Sequence, residues 1–135
     1  MADILLLHPG VMGTSIGAAL RSAGHQVFWL PGSRSEATRQ RAESQDLVAL
    51  DTLETGSDKA DFVLSICPPA SAMSVAREVH ATGIDTIFVD CNAIAPSAMA
   101  EIASMLGNSV LDGCIVGPPA RRPDETRLYV SGPHA

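Results

Sequence analysis

Apolar residues in this chain come in short, dense runs separated by longer stretches with helical spacing. Ile4-Leu5-Leu6-Leu7 is the first run, followed by Gln26–Leu30, Asp61–Cys67 and Thr86–Asp90. Runs that are apolar without alternation suit strands buried on both faces of a parallel sheet. The intervening segments read as helices. The first follows Gly10 and carries Ile16, Ala18, Ala19 and Leu20; Gly24 is its predicted stop. Ser33 and Glu36 have the spacing of a capping box, which predicts a helix from Arg34 to about Ser44. Asp46–Leu50 reads as a short third strand, and 51–60 as a loop or one to two helical turns. Ala70–Thr82 is a helix with Ala72, Met73, Val75, Ala76 and Val79 inward, closed by Gly83. Pro96 opens another helix to about Leu106, which Gly107 stops. A strand begins at Ser109–Asp112, a turn-rich segment spans 117–123, and Arg127–Val130 is the last strand, paired antiparallel with its predecessor. Tyr129 reads as strand packing. This alternation predicts an α/β, Rossmann-type, doubly wound and mostly parallel sheet in a single domain spanning 1–135.

The candidate chemistry gathers at the first turn. A strand, the turn His8-Pro9-Gly10-Val11-Met12-Gly13, and then a helix is the arrangement that binds a dinucleotide pyrophosphate. Glycine lets the backbone come close to a ligand, and the helix N-terminus offers free N–H groups and a positive dipole end. Against the full G-x-G-x-x-G fingerprint, His8 stands at the first glycine, with Gly10 and Gly13 at the other two. An ordinary strand–turn–helix is the competing reading.

The end of the second strand bears on which cofactor fits. NAD sites place an acidic residue there for the ribose 2′-hydroxyl. No Asp or Glu lies between Gln26 and Ser35; Ser33 and Arg34 stand there, with Arg39 beyond. A guanidinium beside a hydroxyl suits a 2′-phosphate, so NADP (NADPH) is the expected cofactor. The competing reading is a solvated helix start. The wrong charge for a ribose diol also disfavours an S-adenosylmethionine-dependent methyltransferase.

Composition narrows the rest. The 135 residues carry a net charge of −6, 46% hydrophobic and 4% aromatic residues. Such a charge argues against nucleic-acid and anionic-membrane partners. No apolar run approaches the roughly 20 residues of a membrane helix. With a strand starting at residue 3, no targeting segment is expected, and the cytoplasm is the expected compartment. Cys67, Cys91 and Cys114 have no metal or disulfide spacing; they read as small buried residues near one edge of the sheet, and no metal site is expected.

These features together resemble the NADP-binding domain of the β-hydroxyacid dehydrogenase and 6-phosphogluconate dehydrogenase superfamily, in its phosphogluconate-dehydrogenase-like branch. Gly10-Val11-Met12-Gly13 looks like that family's G-x-M-G turn, and Ser33-Arg34 like its 2′-phosphate pair. Ser65-Ile66-Cys67-Pro68-Pro69 is similar to the loop along the cofactor ribose, Asp90-Cys91-Asn92-Ala93 to the strand end near the nicotinamide, and Asp112–Gly117 to the substrate-facing D-x-x-x-x-G segment. The resemblance implies cofactor binding by Gly10, Val11, Met12, Gly13, Ser33, Arg34, Cys67, Pro68 and Asn92, with Asn92 also the catalytic candidate; a local Asx turn is its alternative role. It implies hydride transfer between NADPH and a small carbonyl, hydroxy-acid-like or imine substrate. Val116 stands where hydroxyacid dehydrogenases carry a substrate-binding serine, a trait shared with imine-reducing relatives. Arg121 and Arg122 either meet an anionic substrate or lie in a solvated loop.

In such proteins a helical second domain builds a homodimer and supplies a catalytic lysine. The expectation is that this domain and the general acid/base lie outside these 135 residues, since the only lysine, Lys59, does not match that position. A non-catalytic NADP-binding or regulatory module is the alternative function.

Overall fold

The computed structural model describes residues 1–83 and 85–135. Strands β1 (Asp3–Leu7), β2 (Gln26–Trp29), β3 (Val48–Ala49), β4 (Phe62–Ser65), β5 (Ile87–Asp90), β6 (Val110–Val116) and β7 (Arg127–Ser131) form one sheet in the order β3-β2-β1-β4-β5-β6-β7. All pairings are parallel except β6 with β7, where Cys114 opposes Tyr129. The helices are α1 (Val11–Ser22), α2 (Glu36–Ser44), α3 (Leu53–Lys59), α4 (Ala72–Ala81) and α5 (Pro96–Leu106), with 3-10 turns at Pro69–Ser71 and Gly107–Ser109.

Alternation along β1 divides the core. Ile4 and Leu6 join Val27, Trp29, Ala42, Leu47, Leu64, Val89 and Leu111 on the face covered by α1 and α2. Leu5 and Leu7 join Val63, Val75, Val79, Phe88 and Ile102 on the face covered by α3, α4 and α5. Strand order reverses between β1 and β4, which is where doubly wound sheets open a crevice at their carboxyl ends.

Several boundaries differ from the sequence expectation. Helix α2 starts at Glu36, and its cap is Ser35, whose hydroxyl accepts from the Thr38 N–H at 3.2 Å. Ser33 instead belongs to a turn closed by Arg34 N–H donating to the Pro31 carbonyl at 2.9 Å. The third strand shrinks to two exposed residues, because Asp46 takes a left-handed φ of 54° in closing α2. On α1 the residues that disappear from solvent are Gly13, Thr14 and Gly17. Helix and strand meet through the small residues, while the apolar Ile16 and Leu20 are only half-buried. Tyr129 is 56% exposed on the edge strand β7, so it does not pack as expected.

Leu6 is fully buried at the centre of the α1 face. Leu6→Ala is expected to cost about 2–5 kcal/mol, the usual range for a buried leucine truncation. Urea unfolding checks this; a loss under about 1 kcal/mol would mean that the site collapses around the deletion.

Candidate functional site: a glycine-lined cleft

Strands β1, β2 and β4 end around a cleft of about 340 Å³, lined by His8, Gly10, Val11, Met12, Gly13, Arg34, Thr38, Ile66, Cys67 and Pro68. Its floor is the turn between β1 and α1. The Gly10 N–H donates to the His8 carbonyl at 2.7 Å, and the Thr14 N–H to the Gly10 carbonyl at 2.9 Å. The Thr14 hydroxyl donates to the Pro9 carbonyl at 2.9 Å, tying the turn to the helix it starts.

No side chain caps α1, and no acidic residue sits in its first turn. The first N–H groups of a helix lack intrahelical partners, so they face the cleft as donors with the dipole behind them. A Cβ on Gly10 would meet nothing within 4 Å and would project into open space, whereas one on Gly13 would lie 3.1 Å from the His8 carbonyl oxygen. Gly13 therefore keeps the turn tight. Gly10 leaves room for a ligand at the helix N-terminus, and a pyrophosphate fits that cradle by charge and by space.

His8 takes φ 62°. The fingerprint's first glycine is missing, yet a left-handed backbone is kept at that position. The imidazole Nε2 lies 3.4 Å from Nη2 of Arg34. Burial and the Arg34 charge hold the imidazole down from 6.5 to about 4. Arg39 is spent elsewhere: its Nη2 donates to the Gly32 carbonyl at 2.8 Å and stiffens the 31–34 turn. Arg34 remains as the guanidinium at the cleft.

The β4 side is held by Asn92. Its Oδ1 accepts from the Cys67 N–H at 2.7 Å, and its Nδ2 donates to the Ser65 hydroxyl at 3.1 Å. Its own N–H donates to Asp90 Oδ1 at 2.9 Å, so the local Asx turn at this strand end is made by the Asp90 side chain, while the Asn92 carboxamide is spent on the β4 side rather than on a turn of its own. Asp90 is fully buried, and its Oδ2 has no hydrogen-bond partner among the described residues. Burial pushes its carboxyl above the usual range. The Cys67 thiol is also raised, chiefly by burial, and that of Cys91 to about 12 for the same reason. All three cysteines are free; Cys91 is buried, Cys67 half-buried and Cys114 exposed, so only Cys91 fully matches the expectation of burial. Among the described residues no group of His, Cys, Asp or Glu is arranged to hold a metal.

Seven of the nine residues singled out for cofactor contact thus line one cleft: Gly10, Val11, Met12, Gly13, Arg34, Cys67 and Pro68. Ser33 lies outside the lining, exposed in its turn, and Asn92 sits behind the Cys67 loop, only 7% exposed. Sequence reasoning missed Thr38, and it placed Ile66 in the ribose loop without singling it out as a site residue. Moving the cap from Ser33 to Ser35 brings Thr38 into the first turn of α2, which is the signal that would have found it. A larger groove, about 780 Å³, runs between α1, the end of α2 and residues 120–126, and shares only Val11 with the cleft. It runs along the side of α1 and, apart from Val11, takes in neither the glycine turn nor the carboxyl ends of β1, β2 and β4, so the smaller cleft is the candidate site.

The family model described as the NAD binding domain of 6-phosphogluconate dehydrogenase matches residues 4–119. The chain belongs to that family. No curated protein sequence matches it. Among solved structures, it is similar to the conserved protein MTH1747, described as structurally similar to 3-hydroxyacid dehydrogenases, at 23% identity and TM-score 0.84 over 95% of this chain and 49% of that one. It is also similar to the Mycobacterium tuberculosis 3-hydroxyisobutyrate dehydrogenase with L-serine, at 22% identity and TM-score 0.79 over 98% and 47%. An imine reductase from Myxococcus stipitatus in complex with NAD+ matches at 19% identity and TM-score 0.77 over 98% and 49%. This chain thus spans about half the length of these structures. Among the described residues, no helix is long and apolar enough to cross a membrane.

Two outcomes follow from this geometry. Asn92→Ala leaves the Cys67 N–H without its acceptor and is expected to cost about 1–3 kcal/mol in urea unfolding; a neutral change would mean that water replaces the carboxamide. The second concerns pH. The unfolded chain protonates His8 near 6.5 and the folded chain only near 4. The contribution of this group to stability is therefore complete above 6.5 and is lost as the pH falls toward 4. Between pH 7 and 4 the wild type should lose stability relative to His8→Asn, and parallel curves would contradict the assignment.

Proposed function

We propose that the cleft binds NADP in preference to NAD, and that the domain orients it for hydride transfer to or from a small carbonyl, hydroxy-acid-like or imine substrate. The observation that carries this reading is Arg34 at the mouth of the glycine cleft, where no carboxylate stands to receive a ribose diol. Gly10, Val11, Met12 and Gly13 would surround the pyrophosphate, and Arg34, with Ser33 beside it, the 2′-phosphate. Cys67 and Pro68 would lie along the ribose.

The bound cofactor supplies the hydride chemistry; the chain supplies orientation. Asn92 keeps the Cys67 loop against the cleft through its two side-chain bonds. As the catalytic candidate it would act from the nicotinamide end, with one amide hydrogen still free to donate. Val116 is 53% exposed at the end of β6 and offers no hydroxyl to a substrate. That favours an imine or an unusual carbonyl compound over an ordinary β-hydroxyacid.

A second reading is a non-catalytic NADP-binding or regulatory module. It is favoured by the lack of a lysine in the cleft: Lys59 ends α3, just ahead of the amino end of β4 and away from the strand ends that form the site. On the enzyme reading, the acid/base and a homodimer would both come from a helical domain outside these residues, and the compartment would be the cytoplasm.

Calorimetric titration of NADPH and NADH separates the outcomes for the cofactor. NADPH should bind more tightly, and Arg34→Ala should reduce the preference by about 10- to 100-fold, as expected for losing hydrogen bonds to a charged group. Equal affinity of the wild type for both nucleotides would reject the NADP reading. Turnover with NADPH and a panel of imines and carbonyls, absent despite tight cofactor binding, would favour the module.

A further inference from the structure

The cofactor reading leaves the His8 side chain without a task. Its backbone does what glycine would do, at φ 62°. A side chain in that conformation carries a steric cost that glycine avoids, so its presence asks for a compensating use. The side chain is half-buried at the cleft, and its Nε2 lies 3.4 Å from Nη2 of Arg34. A guanidinium has donors only, so Nε2 must be the unprotonated nitrogen and the acceptor.

Arg34 has no other side-chain restraint among the described residues. The ion pair there is Arg122 with Glu125, far along the chain, and Arg39 is committed to the Gly32 carbonyl. A carboxylate in place of His8 would hold Arg34 equally well but would neutralise it. An imidazole kept neutral by its surroundings orients the guanidinium and leaves its charge intact for an anion.

We propose that His8 is a positioning residue for cofactor selectivity: its Nε2 holds the Arg34 guanidinium across the mouth of the cleft, ready for the 2′-phosphate. This rests on the NADP reading above. The benefit is preorganisation, since a long side chain already ordered in the free protein does not have to be ordered on binding.

The probes are adenosine 2′,5′-bisphosphate and adenosine 5′-monophosphate, which differ only in the 2′-phosphate. Their affinities are measured by calorimetry on the wild-type chain, His8→Gly, His8→Gln, Arg34→Ala and the His8→Gly/Arg34→Ala double variant. His8→Gly removes the acceptor while keeping the backbone at ease, so its thermal midpoint should equal or exceed that of the wild type. Its preference for the bisphosphate should fall by about 2- to 12-fold, the value of ordering one long side chain. His8→Gln carries an acceptor at a similar reach and should recover part of the preference. The double variant should show no loss beyond that of Arg34→Ala.

An unchanged preference in His8→Gly, with a collapsed one in Arg34→Ala, would overturn the positioning role and leave the NADP reading standing. An equal loss for both probes in His8→Gly would also overturn it, assigning His8 to the turn or the 5′-phosphate. An unchanged preference in Arg34→Ala, or no binding of either probe by the wild type, would remove the NADP reading and this proposal with it.

Discussion

Strand β1 is held between two helices that approach it through missing side chains. On one face a Cβ at Gly17 of α1 would come within 3.2 Å of a Leu6 methyl; on the other a Cβ at Gly56 of α3 would come within 2.9 Å of a Leu5 methyl. Interiors are packed closely enough that such clearances matter. They set how deep both helices sit, and the depth of α1 sets where its N-terminus meets the turn. Gly13 continues the same constraint up the helix, against the His8 carbonyl. The cleft owes its place to this packing as much as to its own residues.

The strands were legible because burial on both faces leaves a dense apolar signature, and β1, β2, β4 and β5 all carry it. Helix α4 was legible because Ala72, Val75, Ala76 and Val79 recur with helical spacing and are the residues it buries. The start of α2 was not, because Ser33 and Ser35 each offer a hydroxyl three residues ahead of a plausible partner. The bonds of the preceding turn decide between them: Arg39 grips the Gly32 carbonyl, and the Pro31–Arg34 turn closes before the helix begins. Strand β7 is a short apolar run, but Leu128, Tyr129 and Val130 are all more than 40% exposed. A run of apolar residues marks a strand, and only the neighbouring layer tells whether its faces are covered.

At the site, the residue types marked the cleft, but their division of labour needed coordinates. Asn92 was legible as a polar residue at a strand end; its bonds to Cys67 and Ser65 join the β4 and β5 ends into one edge. The partnership of His8 with Arg34 spans 26 residues and two strands, and no local pattern encodes such a pair. A departure from a fingerprint is ambiguous in sequence, since it can abolish a site or refine it. Here the retained left-handed φ shows that His8 meets the backbone requirement, while its imidazole stands beside Arg34 as no glycine could.

The overall charge of −6 and an anionic cofactor stand in apparent conflict, and distance resolves it. At physiological ionic strength, exposed charges more than about 8 Å apart are largely screened, so the acidic surface contributes little inside the cleft. What acts there is local: an uncapped helix N-terminus, the Arg34 guanidinium, and a histidine whose neutrality adds no competing charge. The nearest buried carboxyl, Asp90, has its acidity weakened by burial and points one oxygen at the Asn92 N–H. Net charge therefore bears on solubility and on partners that read the whole surface, while the proposed selection between two nucleotides differing by one phosphate would be decided within a few ångströms of Arg34.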